Sequence, residues 1–151
     1  MIRGVSFQIP QITTNVLWRI LNKVDISKYS WYNVSNQSEI WDEHLEYDFF
    51  DKNHYSGNDF LKHIKFNHYI IFLKLQAYLD NYEFNDIHTY DEFYKSDCQM
   101  LILISDCEFV EIYSKNENEI KAIFKNAISN LYKNIQYITD ANDMRTVMDI
   151  L

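Results

Sequence analysis

Apolar residues recur at two spacings along this chain of 151 residues, and the spacings predict both helices and strands. After Asn116 they follow the 3.6-residue repeat of a helix that buries one face. The apolar positions of this repeat are Ile120, Ile123, Phe124, Ala127, Ile128 and Leu131. Asn116 with Glu119 three residues later has the pattern of a helix N-cap. Shorter helices are predicted after Thr13 or Thr14, from residue 57 and over residues 89–96.

Alternating, β-branched and aromatic runs predict strands between these helices. They cover residues 2–9, 29–34, 39–41, 69–75, 98–104, 108–114 and 134–138. Pro10 ends the first strand, and the turn at 105–107 makes a hairpin of two later ones. Residues 42–56 lack a clear period and are predicted to form a surface loop, and the C-terminal tail has no assignment.

The order of these elements predicts one α+β domain spanning residues 1–151. Hairpin connections together with a crossover indicate a mixed, mostly antiparallel sheet with helices packed on one face. The other face, or one sheet edge, would then be free for a partner.

Charge changes this picture because acidic residues are concentrated in two stretches. Residues 39–59 carry a net charge of −6 and residues 80–97 carry −5, in a chain whose total is −8. Both stretches are also rich in aromatic residues. Those of the first stretch are Trp41, Tyr47, Phe49, Phe50 and Tyr55. Carboxylates and aromatic rings on one surface suit a basic macromolecular partner.

Overall composition narrows the class of partner and the compartment. A pI near 5.0 argues against nucleic acid and against anionic membranes, because both are polyanions. The N-terminal ten residues have no features of a signal peptide, and no apolar run is long enough to span a bilayer, so a cytoplasmic protein is expected. Abundant Ile, Asn, Lys, Tyr and Phe with only 2 glycines and 1 proline indicate a bacterium of low GC content.

Catalytic and cofactor signatures are absent from the sequence, and no catalytic, cofactor or metal site is predicted. Two glycines leave no room for a phosphate-binding loop or a nucleophile elbow. The histidines have no zinc spacing. One alternative remains open: a small enzyme whose carboxylates and histidines, such as His44 and His54, meet only in the folded chain and hold a metal.

The first acidic stretch therefore carries the predicted partner-binding residues. They are Trp41, Asp42, Glu43, Glu46, Asp48 and Asp51. A competing interpretation turns the aromatic residues of this stretch into the core and leaves the acids as a solvated face. A further alternative is a homo-oligomeric structural protein in which the aromatic stretches bury each other.

Several short segments resemble a known family. They are the opening MIRGVSFQIP, the run TYDEF at 89–93 leading into SDC at 96–98, FVEIY at 109–113 and YITD at 137–140 with Asn142, Asp143, Arg145 and Thr146. Together they resemble a family of uncharacterised proteins of similar length from spore-forming Gram-positive bacteria. The resemblance covers nearly the whole chain and brings no catalytic residues with it.

A looser similarity connects the chain with immunity proteins of bacterial toxin systems. Many of these are small, acidic, aromatic-rich and glycine-poor α+β proteins that block a basic toxin by charge and shape. The expected function is therefore a non-enzymatic interaction protein that binds a basic protein, such as a toxin domain.

Overall fold

The computed structural model describes residues 1–79 and 82–150, which contain eight strands and four helices. The strands are β1 (Ile2–Gln8), β2 (Ser30–Asn33), β3 (Glu39–Asp42), β4 (His54–Tyr55), β5 (His68–Tyr78), β6 (Cys98–Ser105), β7 (Phe109–Ser114) and β8 (Lys133–Thr139). The helices are α1 (Val16–Leu21), α2 (Gly57–His63), α3 (Tyr90–Lys95) and α4 (Glu117–Ser129). Asp80 and Asn81, which open the second acidic stretch, lie outside the described residues, as does Leu151.

The strands form one open sheet in the order β4-β2-β5-β6-β7-β1-β8, and β3 also pairs with β5. All the strand pairs in the described part of the chain are antiparallel. The predicted α+β class and the β6–β7 hairpin are confirmed. The parallel component of the predicted mixed sheet is not found among residues 1–79 and 82–150.

Strands β2 and β3 behave as two halves of one interrupted strand. Both pair with β5, β2 along its C-terminal part and β3 along its N-terminal part. A 3-10 turn at Ser35–Gln37 separates the halves. Ser38 closes the break, because its Oγ donates to the carbonyl of Val34 at 2.9 Å and accepts the amide of Lys74 at 3.2 Å. The interruption therefore leaves these backbone groups hydrogen-bonded.

Side chains of the central strands alternate between two faces, and each face has its own core. On β6, Met100, Ile102 and Ile104 belong to the larger core, together with α1, α2 and α4. We call this the first face. Leu101 and Leu103 point to the opposite, second face, where α3 and the C-terminal segment pack. Three helices thus share one face as predicted, whereas the face left open in the sequence interpretation is covered.

Two helix ends differ from the predictions. Helix α1 begins after Asn15, whose φ is 55°, and not after a capping Thr13 or Thr14. The side chain of Asn15 instead accepts the amide of His68 at 3.1 Å, so it fixes the helix to β5. Helix α4 ends at Ser129, and Ile128 and Leu131 are 51% and 87% exposed, so the apolar repeat runs past the buried face.

Candidate functional site

The first acidic stretch contains a tight turn, which we call the acidic loop, residues 42–48. Oδ1 of Asp42 accepts the amides of His44 and Glu46 at 3.2 and 3.1 Å, and that of Tyr47 lies 3.5 Å away. The backbone hydrogen bond from Glu46, followed by those from Tyr47 and His44, lowers the pKa of Asp42. A bridge between Trp41 and Asp48 closes the loop. The first part of the predicted surface loop at 42–56 is therefore ordered by its own first carboxylate. The prediction is wrong for the second part, because Phe49 and Phe50 are buried and His54–Tyr55 form β4.

Apart from the half-buried Trp41, exposure separates the large apolar and aromatic side chains of this stretch into two groups. Phe49, Phe50 and Tyr55 are buried in the first-face core, as the competing interpretation had it. Tyr47 is 70% exposed and Leu45 is 61% exposed. The acidic loop thus presents two large apolar side chains to solvent between its carboxylates.

The structure brings five of the six predicted partner-binding residues together. Glu43, Glu46 and Asp48 are exposed, while Trp41 and Asp42 are half-buried at the base of the loop. The sixth, Asp51, lies beyond the two buried phenylalanines. Its Oδ1 accepts the hydroxyl of Tyr55 at 2.5 Å, and this hydrogen bond lowers the pKa of Asp51. Asp51 therefore contributes to fixing β4 as well as to the charge of the surface.

Two clefts flank the acidic loop, and both are lined by Asp42, Glu43 and Asn67. One has a volume of about 440 Å³ and extends to Phe66, which is 67% exposed. The other has a volume of about 420 Å³ and extends past Leu45. Asn67 donates to Oε2 of Glu43 at 2.9 Å, so it holds that carboxylate between the clefts.

We call this region the acidic surface: the acidic loop with Phe66 and Asn67. Sequence reasoning missed Leu45 and Phe66 as contributors. Leu45 lies between His44 and Glu46, and Phe66 follows the end of α2, so neither belongs to an apolar repeat. That isolation is the only signal in the sequence that could have marked them as exposed.

The second face carries a different kind of polar group, a buried ammonium. Lys74 lies in the middle of β5 with its side chain 0% exposed. Its Nζ lies 2.7 Å from Oδ1 of Asp86 and 2.8 Å from Oδ1 of Asp149, and it donates to the carbonyl of Ile87. His88 Nδ1 lies 3.0 Å from Oδ2 of Asp149. We call Lys74, Asp86, His88 and Asp149 the ionic cluster.

Within the ionic cluster, Asp149 and His88 shift each other's pKa. Partial burial alone would raise the pKa of Asp149, but hydrogen bonds from Lys74, Gln37 and His88 bring it to about 2. The hydrogen bond with Asp149 raises the pKa of His88. The cluster is thus held by opposite charges at short range.

The ligand atoms of Asp86, His88 and Asp149 lie within 4.8 Å of one another, which is close enough for a metal ion. The ammonium of Lys74, however, already lies between the two carboxylates, where a cation would sit. The cluster therefore has the geometry of an ion-pair network that ties chain segments to β5. His44 and His54, the histidines of the metal alternative, are in no such group among the described residues.

Together these features define a small α+β protein with an ordered acidic loop and an ion-pair network on the second face of its sheet. The chain belongs to the family described as protein of unknown function DUF2691, whose profile matches residues 2–149. It is similar to the uncharacterized protein YncE of Bacillus subtilis (strain 168), with 40% identity over 156 residues, 99% of this chain and 100% of the relative. The predicted family resemblance is confirmed. No solved structure matches the chain, and none of its described helices is long and apolar enough to cross a membrane.

Proposed function

We propose that this protein is a non-enzymatic interaction protein of the bacterial cytoplasm that binds a basic protein through the acidic surface, as an immunity protein binds a toxin. One observation carries the proposal: a loop ordered by Asp42 displays Leu45 and Tyr47 between exposed carboxylates. Exposed large apolar residues within a charged rim are typical of recognition surfaces.

Preorganisation supports the proposal because ordering a loop on binding opposes association. The amides of His44 and Glu46 are already bonded to Asp42 in the free chain. Glu43 is likewise fixed by Asn67. A partner would meet a loop backbone and a Glu43 carboxylate that are already held in place, so less of the contact energy would be spent on ordering them.

Charge supports a basic partner. Glu43, Glu46 and Asp48 are exposed within a chain of net charge −8. A concentrated negative field speeds the encounter with a positively charged protein, and the effect weakens as salt screens it. Tyr47, Leu45 and Phe66 would supply the apolar contacts that slow dissociation.

The proposal predicts that reversing the charge of the acidic loop slows association. In the triple variant Glu43→Lys, Glu46→Lys and Asp48→Lys we expect the association rate to fall about tenfold or more at low salt, because steering is lost. The partner is first recovered from the native cytoplasm with the wild-type protein as bait, and association is then measured by surface plasmon resonance across a salt series.

A matched triple reversal serves as control: Glu83→Lys, Asp91→Lys and Asp97→Lys change the net charge equally at exposed sites elsewhere. This variant should associate at nearly the wild-type rate. Circular dichroism and light scattering check that each variant keeps the fold and oligomeric state. The proposal is wrong if the acidic-loop variant retains every protein that the wild type retains, or if both triple variants associate equally fast.

A further inference from the structure

The last described residues, 140–150, form what we call the C-terminal strap. They contain no helix or strand, yet they lie across the second face of the sheet. Met148 is 0% exposed and packs in the core that contains Leu101, Leu103 and Tyr113. Its amide donates to the carbonyl of His88 at 2.8 Å. The strap therefore covers apolar sheet residues without adding a strand.

Side chains hold the strap at both ends. At the near end, Arg3 Nε donates to Asp140 and Arg3 Nη1 to Asp143, each at 3.0 Å. At the far end, Asp149 takes part in the ionic cluster, and Gln37 donates to its Oδ1 at 2.9 Å. Gln37 also accepts the amide of Ile150 at 2.6 Å. Besides the burial of Met148, the far end is attached mainly through polar contacts with Lys74, His88 and Gln37, and Arg145 Nη1 donates to the carbonyl of Asp149 at 3.3 Å.

The middle of the strap stands away from the sheet. A cleft of about 480 Å³ lies between residues 142–147 of the strap and side chains of β1, β7 and β8. Met144 is 88% exposed and Val147 is 52% exposed, so both point away from the core. Two side-chain contacts with β7 cross this span: Arg145 donates through Nε and Nη2 to Glu111 at 2.9 and 3.2 Å, and the hydroxyl of Tyr113 donates to Oδ1 of Asp143 at 3.1 Å.

We propose that the far end of the strap is a releasable cover, latched by Asp149 on the ammonium of Lys74, which opens while the sheet stays folded. Opening would withdraw Met148 and uncover the apolar side chains of Leu101, Leu103 and Tyr113 beneath it. Lys74 keeps Asp86 as a partner in the open state, so its buried charge is not left alone. That second partner makes local opening easier than it would be for a buried lysine with one carboxylate.

Hydrogen exchange in increasing urea, below the unfolding transition, tests the proposal. Local opening exposes little surface, so the amides of Met148 and Ile150 should exchange at rates that barely change with urea. Amides of β6 should exchange more slowly and accelerate with urea, because they need global unfolding. Strap amides that follow the urea dependence of β6 would overturn the proposal, and the wild-type protein alone decides this.

Variants then identify the latch. Asp149→Asn should speed the exchange of Met148 and Ile150 about tenfold or more, because the contacts with Lys74 and His88 lose their charge. Asp140→Asn is the matched control, since it removes a strap carboxylate at the near end that is 54% exposed. Equal acceleration by the two variants, or none by Asp149→Asn, would overturn the assignment of the latch.

Discussion

At the scale of single residues, polar side chains on the second face of β5 hold in place a segment that has no regular secondary structure. Lys74, Gln76 and Tyr78 alternate on that face, and all three are buried. Gln76 donates to the carbonyl of Asn85 at 2.8 Å and accepts the amide of Ile87 at 3.0 Å. These side chains thus hydrogen-bond to the backbone of residues 85–87, a role that a neighbouring strand would otherwise have to fill.

A buried histidine on the same strand makes stability depend on pH. His68 is 1% exposed, and its Nε2 accepts the amide of Leu17 at 3.1 Å. Burial lowers the pKa of His68 from 6.5 to about 4, against a smaller opposing effect of the Phe66 carbonyl. The unfolded chain therefore takes up a proton near pH 6.5, whereas the folded chain resists protonation down to about pH 4. The contribution of neutral His68 to the free energy of unfolding is fully present above pH 6.5 and is lost as the pH falls towards 4.

We expect His68→Gln to remove this part of the pH dependence. Between pH 7 and pH 5 the wild type should lose about 2 kcal/mol more of its unfolding free energy than the variant, since glutamine has no charge to gain. Urea unfolding at the two pH values measures the difference. His44→Gln, at an exposed position, is the control and should behave as the wild type does. Equal losses in wild type and His68→Gln would contradict the assignment.

At the scale of elements, the sequence predicts those with a strong period and a local cap. The start of α4 is confirmed: the side chain of Asn116 accepts the amides of Asn118 and Glu119 at 3.0 and 3.3 Å. The second half of the expected capping pair, in which Glu119 would bond back to Asn116, is not found. Glu119 turns inward and accepts the hydroxyl of Tyr29 at 2.7 Å. Tyr29 is ninety positions away, so no local pattern could have indicated that contact.

The cap of α4 can be tested directly. Asn116→Ala should destabilise the protein by about 1 kcal/mol, because two amides of the first turn lose their acceptor. Asn118→Ala, two residues on at an exposed site, is the matched control and should change stability by less than about 0.5 kcal/mol. Equilibrium urea unfolding followed by circular dichroism gives both values. Similar losses for the two variants would show that Asn116 does not act as a cap.

At the scale of the whole molecule, the sequence could not predict which segments cover the second face. The strap has no apolar period, and its one buried anchor, Met148, looks like any isolated methionine. Lys74 appears in the sequence as a single charge in an apolar strand, and its partners are 12 and 75 positions away. The position of the acidic surface was predictable from charge alone. Which aromatic residues it exposes was not, because that depends on how Phe49 and Phe50 pack against α2.

Lys74 connects β5, the segment that contains Asp86 and the strap, so its replacement should lower the stability of the whole fold. We expect Lys74→Met to lower the free energy of unfolding by about 3 kcal/mol or more, because Asp86 and Asp149 lose their shared cation. Adding Asp149→Asn should cost less in that background than in the wild type. Urea unfolding of the four proteins in this cycle measures the coupling. Lys62→Met, exposed on α2, is the control, and strictly additive losses would contradict a shared network.

The break between β2 and β3 has a consequence for how such a chain can diverge. Each half of the interrupted strand keeps its own register on β5, and Gln37 within the break reaches the strap. An extra residue between the halves would turn Ile40 out of the core or withdraw Gln37 from Asp149. The break therefore constrains the number of its residues as well as the identities of Ser38 and Gln37, whose side chains close it and reach the strap. Insertions are easier to accommodate at solvent-exposed turns, so we expect length differences among related chains to fall at such turns and not at the break.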